Sequence, residues 1–449
     1  MKKPLVLTFL FFSLISYSQT WSSAGSGITN GPIYSLAAYN NYLYAGGYFN
    51  SVCNTPANNI AQWNGSVWSA LGKGINGYGN PSVNVLFAGP NSLFVGGLDY
   101  GTADTTAINN IASWNGSTWS ALGAGITQNE YFNDEVFAID TFQSNLYVGG
   151  IFDTAGAKPL NNIAMWNGST WSSVGGGIKE QVNAFMVYNG NLYVGGYFDS
   201  IGNKPANSIA TWNGSTWSLI SGFSKNGEIT AFSAYKGNLI AAGIFDTIGG
   251  IAAHNIAMWN GSTWAKLGSG IDKWIIALAV YNGNLYVGGQ FDTAGGVIVH
   301  NIAEWNGSNW SALGSGVGLN SDSNGVYALT VYNGSLYAGG NFSTAGGISA
   351  SNIAKWTVPV GINELSHNNI AEVFPNPSTG VFTFEVKNNT EKTDLQVYNT
   401  LGENIYSETL RQAQGDSQID LSNQPAGIYL YRLLSEDGNL LASGKLVIE

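Results

Sequence analysis

Val280-Tyr281-Asn282-Gly283-Asn284-Leu285-Tyr286-Val287-Gly288-Gly289 leads into Gln290-Phe291-Asp292-Thr293-Ala294-Gly295-Gly296. Asn301-Ile302-Ala303-Glu304-Trp305-Asn306-Gly307-Ser308-Asn309-Trp310 follows. This is one copy of a unit that recurs along residues 21–356. The first Trp of the unit falls at 63, 114, 166, 212, 259, 305 and 356, and the second at 21, 68, 119, 171, 217, 264 and 310. The period of 46 to 52 residues suits four-stranded propeller blades better than solenoid coils. Each copy reads as four strands: V-x-A-L-x-V-Y, then N-L-Y-V-G-G, N-I-A-x-W and x-W-S-x-L-G. The links between first and second and between third and fourth strands are mostly Asn-Gly. That pair tolerates positive φ at both turn positions, so the spacing predicts two-residue type I′ hairpins at both links.

The array begins with a lone fourth strand, Trp21-Ser22-Ser23-Ala24, and ends with a lone third strand, Asn352-Ile353-Ala354-Lys355-Trp356. Pairing the two removes both open edges. The expected architecture is all-β: a seven-bladed β-propeller closed by the N-terminal strand, spanning residues 19–357.

Composition agrees. The 449 residues include 60 Gly, 15 Trp, 23 Tyr and 20 Phe, with only 10% charged side chains, which favours short strands and tight turns over helices or disorder. The net charge of −11 carries no basic stripe, so a nucleic-acid partner is not expected. The single cysteine, Cys53, excludes an intrachain disulfide and a Cys-based zinc cluster. Lys2 and Lys3, the apolar run Leu5 to Ile15 and the small Ser16 and Ser18 read as a secretory signal over residues 1–18. No later segment is apolar enough to cross a bilayer.

The repeat resembles kelch-type propellers, and F-x-x-A-G-G…N-I-A-x-W-N-G-S-x-W-S-x-L-G-x-G is similar to the repeat of the fungal cortical polarity-marker family and its bacterial relatives. Ala241-Ala242-Gly243 and Leu98-Asp99-Tyr100-Gly101 depart from it. After Trp356 the pattern stops. Residues 358–369 read as a linker. Over residues 370–449 the alternating runs Val381 to Val386, Asp394 to Tyr398, Gly427 to Leu433 and Lys445 to Ile448 suggest a small β-sandwich. Phe374-Pro375-Asn376-Pro377, Val397 to Gly402, Gly427-Ile428-Tyr429 and Gly444-Lys445-Leu446-Val447 closely resemble the type A C-terminal sorting domain of the type IX secretion system of Bacteroidota. The resemblance implies passage to the periplasm, then through the outer membrane. It implies that machinery and its sortase-like peptidase as partners, and a product released or held at the outer-membrane surface.

Length variation falls in the fourth-to-first loops: the second Trp lies 25 to 31 residues before the second Gly of the next Gly-Gly pair, while that Gly lies 16 or 17 before the next Trp. Surface loops accept insertions and carry binding residues, so the face they share is the candidate ligand face. Its notable residues are Tyr78, Glu130, Tyr131, Phe132, Asp134, Glu135, Trp274 and Asp322. The candidate ligand contacts among them are Tyr78, Glu130, Tyr131, Asp134, Trp274 and Asp322. Aromatic faces can stack on sugar rings while carboxylates and amides bond hydroxyls; Tyr131 and Phe132 folding down over the rim is the alternative.

Asp153, Asp199, Asp246 and Asp292 recur in the Phe-Asp-Thr/Ser loops and could collect calcium, or each could cap its own turn. No other cofactor is expected. Thr154, Ser200, Thr247 and Thr293 follow these Asp residues in a motif that resembles a Bacteroidota O-glycosylation acceptor. His254 and His300 occupy one repeat position, which a polar turn explains better than a metal. Kelch-type copper oxidases need a Tyr–Cys crosslink and paired His, which Cys53 lacks around it. The reading is a secreted or surface-displayed, non-catalytic protein that binds glycan or protein. The rival is a polysaccharide hydrolase or lyase using carboxylates on the variable face.

Overall fold

The computed structural model describes residues 20–28, 30–53, 55–127, 134–202, 204–220, 223, 227–318, 324–358, 371–386, 393–399, 403–410, 417–435 and 440–449. They divide between two compact units, one inside Ser18–Val358 and one inside Pro359–Glu449. Among the described residues the regular elements are strands, with no helix.

The first unit is a succession of seven antiparallel four-stranded sheets, each laid out in repeat order. Their first strands are Ile33–Tyr39, Ile75–Ala88, Glu135–Phe142, Gln181–Tyr188, Glu228–Tyr235, Trp274–Tyr281 and Gly325–Tyr332. A bridge between Glu135 and Leu98 joins the second and third sheets into one nine-stranded sheet. The second strands are buried almost throughout, because a neighbouring sheet covers each face. This is why they hold Gly-Gly. A methyl on Gly46, Gly96, Gly149, Gly195, Gly288 or Gly339 would strike Val83, Val136, Val182, Ile229, Val326 or Ile33, a first-strand residue of the following sheet. The fifth sheet manages with Ala242 at that position.

The seventh sheet is completed from the start of the chain. Thr20–Ser23 pairs antiparallel with Ile353–Thr357, and Trp21 sits opposite Trp356. The contacts that join successive sheets recur between the seventh and the first. Tyr332 Oη donates to the Asn41 carbonyl at 2.8 Å, as Tyr281 Oη does to Gly334 at 2.9 Å. Trp68 Nε1 donates to the Ala24 carbonyl at 2.9 Å, as Trp171 Nε1 does to Leu122 at 2.8 Å.

An asparagine ties each sheet to the chain entering the next one. In six sheets the Asn before I-A-x-W has left-handed φ, between 54° and 72°. Its Oδ1 accepts from a backbone N–H ten residues earlier, and its Nδ2 donates to a carbonyl sixteen residues later or, for Asn352, to Ile28. In the fourth sheet Ser208 makes the second bond alone, to Gly227 at 2.6 Å.

The hairpin expectation holds at one link and fails at the other. Between first and second strands both turn residues have positive φ in six sheets, as in Asn189 (47°) and Gly190 (74°), the type I′ signature. In the second sheet Ala88 pairs with Leu93, and the four-residue loop Gly89-Pro90-Asn91-Ser92 has no positive φ. Between third and fourth strands Trp63 pairs with Trp68, so the loop has four residues. Only its Gly has positive φ, 98° at Gly65. The Asn acts through its side chain: Asn64 Oδ1 accepts from Ser66 and Val67 N–H at 2.9 and 2.8 Å.

The second unit has a three-stranded sheet (Ala371–Phe374, Val381–Val386, Ser417–Asp420) and a four-stranded sheet (Asn404–Leu410, Thr393–Tyr398, Gly427–Ser435, Leu440–Ile448). Phe382, Phe384, Leu395, Val397, Ile419, Leu433 and Leu446 share its buried core. The periodicity locates four of these strands. Asn404–Leu410 escapes it because its buried and half-buried residues, Ile405, Tyr406 and Leu410, do not alternate, and Ala371–Phe374 and Ser417–Asp420 are four residues long.

Candidate ligand site at the mouth of the axial cavity

Every first strand carries a bulge at the same place. The register skips Tyr34, Asn84, Phe137, Asn183, Thr230, Ile276 and Tyr327. A bulge leaves one residue unpaired and re-aims its side chain. Residues at and just after these bulges, from all seven sheets, line an axial cavity of about 300 Å³. Leu36, Leu86, Ile139, Phe185, Phe232, Leu278 and Leu329 lie among its lining residues, but the surface it exposes is predominantly polar.

The cavity widens into a mouth of about 820 Å³. The bulge residues Tyr34, Asn84, Phe137, Ile276 and Tyr327 form its floor. The walls come mostly from strand ends: Glu135 and Trp274 where first strands begin, Gln290 and Asn341 where second strands finish and Tyr48 just past one, with Ser82 and Leu98 from within the extended strands of the second sheet. These ends adjoin the fourth-to-first and second-to-third loops, the face singled out by loop length.

The polar groups are held in place. Ser82 Oγ donates to Asn84 Oδ1 at 2.9 Å, and Asn84 Nδ2 donates to Glu135 Oε1 at 2.8 Å. Gln290 Nε2 donates to Tyr327 Oη at 3.3 Å, and the Tyr34 and Tyr327 rings lie 6.1 Å apart. Burial pushes the Glu135 carboxyl upward; the Asn84 hydrogen bond opposes this and the Asp99 charge adds to it. Burial also raises the Tyr34 phenol, helped by Glu135, and the Tyr327 phenol. Both phenols therefore remain donors at neutral pH. A second amide–carboxyl pair repeats the arrangement: Asn183 Nδ2 donates to Glu228 Oε1 at 2.6 Å, and burial raises Glu228. Among the described lining residues of the mouth, Glu135 is the single carboxyl group.

Of the residues expected from sequence, Trp274 lines the mouth with 54% of its surface exposed. Asp134 is half-buried beside Glu135 and is not a lining residue. Glu130, Tyr131, Phe132 and Asp322 lie outside the described residues, as does the Tyr78 side chain. The bulge residues were missed. Their signal was there: V-x-A-L keeps its apolar frame in six of the seven copies, Ser35 being the exception, while x runs through Tyr, Asn, Phe, Asn, Thr, Ile and Tyr.

The four aspartates of the peripheral loops are not brought together. Asp199 faces Lys179 at 3.9 Å, and Asp292 faces Lys273 at 2.8 Å. No cluster of three or more His, Cys, Asp or Glu suited to a metal occurs among the described residues. The backbone carbonyls of all four accept from the returning chain, for example Leu160 N–H to Asp153 O at 2.9 Å. His254 and His300 have left-handed φ of 49° and 50° and bond through their carbonyls to Ile271 and Val317 N–H, a turn role.

In the C-terminal unit, Asn376 binds the last strand through both ends of its amide, accepting from Val447 N–H at 2.9 Å and donating to the Lys445 carbonyl. This staples Phe374 to Pro377 against the chain end, with Phe374 43% exposed. Tyr429 is buried and donates to the Pro425 carbonyl at 2.7 Å. Gly427 and the exposed Lys445 flank the same strand pair.

Residues 372–449 match the model of a family described as the secretion system C-terminal sorting domain. The match supports secretion of the Bacteroidota type, through the type IX machinery to the cell surface or the medium. No described helix is long and apolar enough to cross a membrane. No curated protein matches the chain. Among solved structures, it is similar to the extracellular domain of a protein described as a hybrid two component system, BT4673, from B. thetaiotaomicron (12% identity, TM-score 0.46). A second structure of that extracellular domain matches at 13% identity and TM-score 0.43. In both cases 96% of this chain is covered, and it spans 58% of the other. An acylaminoacyl peptidase from Pyrococcus horikoshii matches at 10% identity and TM-score 0.39, over 81% of this chain and 59% of that one.

Proposed function

We propose that the seven sheets form a closed, seven-bladed, kelch-like propeller, and that the exported protein is a non-catalytic binding module whose ligand, a glycan, seats at the mouth of the axial cavity. The ring reading is supported by the Thr20–Ser23 pairing and by the Tyr332–Asn41 and Trp68–Ala24 bonds, which repeat the links between earlier sheets. The observation that carries the ligand reading is the composition of the mouth. Exposed aromatic faces (Trp274, Tyr48) stand over fixed amides and phenols (Asn84, Gln290, Tyr34, Tyr327) in a void within the ~300–1,000 Å³ common for small-molecule sites. Sugar rings present apolar faces and a rim of hydroxyls, which these groups complement. A two-carboxylate hydrolytic mechanism needs a partner across the bond from Glu135, and the described lining supplies amides there instead. The test is a glycan array with the mature protein, run beside a reducing-sugar release assay. Binding lost in Trp274→Ala and no sugar released is the expected result. Release abolished by Glu135→Gln overturns the non-catalytic reading.

A further inference from the structure

The second sheet breaks the repeat where Leu98-Asp99-Tyr100-Gly101 replaces Phe-Asp-Thr-Ala. Other sheets end their second strand after Gly-Gly and form a separate small hairpin, such as Ser51–Val52 with Thr55–Pro56. Here the second strand runs on to Ala103, and the first strand starts early enough to pair with that extension at Ile75, Asn76 and Gly77. The register then jumps from Gly77 to Ser82, throwing residues 78–81 outward beside the mouth. Gly77 is required, because a methyl there would collide with the Asp99 carbonyl oxygen.

The excursion walls a second pocket of about 340 Å³ between the first and second sheets. Tyr48 and Asn80 line both this pocket and the mouth, so the two voids share a border. Tyr48 is 45% exposed, and its hydroxyl donates to Asn80 Oδ1 at 3.3 Å. Beyond that border the pocket is a set of amides. Asn30 donates to Asn50, and Asn58 Nδ2 donates to Asn76 Oδ1 at 2.8 Å. An amide has two donors and two acceptor lone pairs. The Nδ2 donors of Asn58 and Asn76 are taken, by the Lys73 and Gly74 carbonyls and by the pair itself, so this pair offers a ligand acceptor lone pairs on Oδ1, while the Nδ2 groups of Asn50 and Asn80, which are bonded through Oδ1, offer donors. None of the described lining residues is charged. A uronate or sulfate would lose its hydration there without meeting a cation.

We propose that this amide pocket is a second subsite continuous with the mouth, and that the ligand is an uncharged oligosaccharide longer than the mouth alone accommodates, lying across Tyr48. The proposal rests on the mouth being a glycan site. Tyr48 supplies a stacking face at the junction, Asn50 and Asn80 supply donors, and Asn58 and Asn76 supply acceptors for successive hydroxyls.

The test is isothermal titration of the full-length mature protein with neutral gluco-, manno- and xylo-oligosaccharides of two to six units. Two pocket variants are compared: Asn76→Ala removes an amide, and Asn50→Trp fills the void from an exposed position while leaving the Asn58–Asn76 pair intact. Thermal unfolding confirms that both fold. For one sugar type, chains of four or more units should bind at least tenfold tighter than the disaccharide. Asn50→Trp should cancel that gain and leave disaccharide affinity unchanged, whereas Trp274→Ala should weaken every length. Affinity independent of length, or a length gain untouched by Asn50→Trp, overturns the second subsite and leaves the mouth reading standing. Absence of binding to every oligosaccharide overturns both.

Discussion

Replacing Trp21 by alanine asks whether the strand Thr20–Ser23 is an integral part of the proposed ring. Trp21 is 7% exposed, its ring centroid lies 5.1 Å from that of Trp356, and its Nε1 donates to the Leu313 carbonyl at 2.9 Å. A buried Trp removes ~150–250 Å² from water, worth ~4–6 kcal/mol at ~25 cal/mol/Å² as an upper bound. Measured Trp→Ala substitutions in cores cost ~3–5 kcal/mol, so ~4 kcal/mol is expected. The control is Trp310→Ala, the same slot one sheet earlier. Trp310 is 7% exposed, 5.1 Å from Trp305 and bonded to Leu267 at 3.0 Å. The two tryptophans differ in one respect: Trp310 follows its partner strand through a four-residue loop, and Trp21 is held across 335 residues by pairing alone. If the N-terminal strand closes the structure cooperatively, urea denaturation followed by far-UV circular dichroism gives equal losses within ~1 kcal/mol. A Trp21→Ala protein within ~1 kcal/mol of the parent, beside a Trp310→Ala protein that loses the full amount, would refute the closure: the strand would then be a dispensable cover.

Asn352→Ala should cost ~2–4 kcal/mol in the same assay. It strips a partner from the buried Phe342 N–H and two carbonyls and leaves alanine at φ 61°. Asp140→Asn should change the pH profile of stability. Burial raises the Asp140 carboxyl to about 6 despite backbone hydrogen bonds from Thr141 and Val187, so the folded state holds this proton more tightly than the unfolded state, whose value is 3.8. The contribution therefore favours folding below about pH 4 and is lost as pH rises through 6, by roughly 3 kcal/mol for two units. The variant should match the parent at pH 3.5 and exceed it at pH 7.5; equal urea midpoints at pH 7.5 would contradict this. Asn115→Ala should destabilise by ~1 kcal/mol through loss of the turn cap on Ser117 and Thr118 N–H, detectable as a lowered thermal midpoint.

The seven sheets were legible because a repeat writes the same spacing many times. Trp63 and Trp68 are five apart in sequence and directly opposite across the loop, so the interval itself encodes the strand register. The orphan strands at Trp21 and Trp356 were legible for the same reason, since each supplied what the other lacked. The turn between third and fourth strands was misread because Asn-Gly has two solutions. A two-residue loop uses the backbone of both residues, and a four-residue loop uses the Asn side chain; composition does not separate them, whereas counting residues between the paired Trp would have. Asn352 and its counterparts were equally hidden. Their bonds reach ten residues back and sixteen forward, or from one end of the array to the other, and alternation patterns carry no information at that range.

The candidate ligand site was least legible because it is made by a departure from alternation. One extra residue in each first strand turns a side chain toward the axis without changing the flanking Val and Ala, so the strand still reads as regular. The same device explains how a monotonous scaffold can be selective. The packing positions are fixed by contact, with Gly195 against Ile229 and Gly339 against Ile33, and tolerate little. Six of the seven bulge positions, all but Thr230, line the cavity or its mouth, and they vary among Tyr, Asn, Phe and Ile. These equivalent places compose one asymmetric surface: aromatic at Tyr34, Phe137 and Tyr327, amide-bearing at Asn84 and Asn183. Each of those two amides grips a carboxyl from the following sheet, Glu135 or Glu228. That grip ties the chemistry of the mouth to the packing of the sheets. Exchanging Asn84 for an aliphatic residue would therefore alter the Glu135 carboxyl as well as the floor, and a change in ligand preference should come with a shift in the pH at which ligand is released.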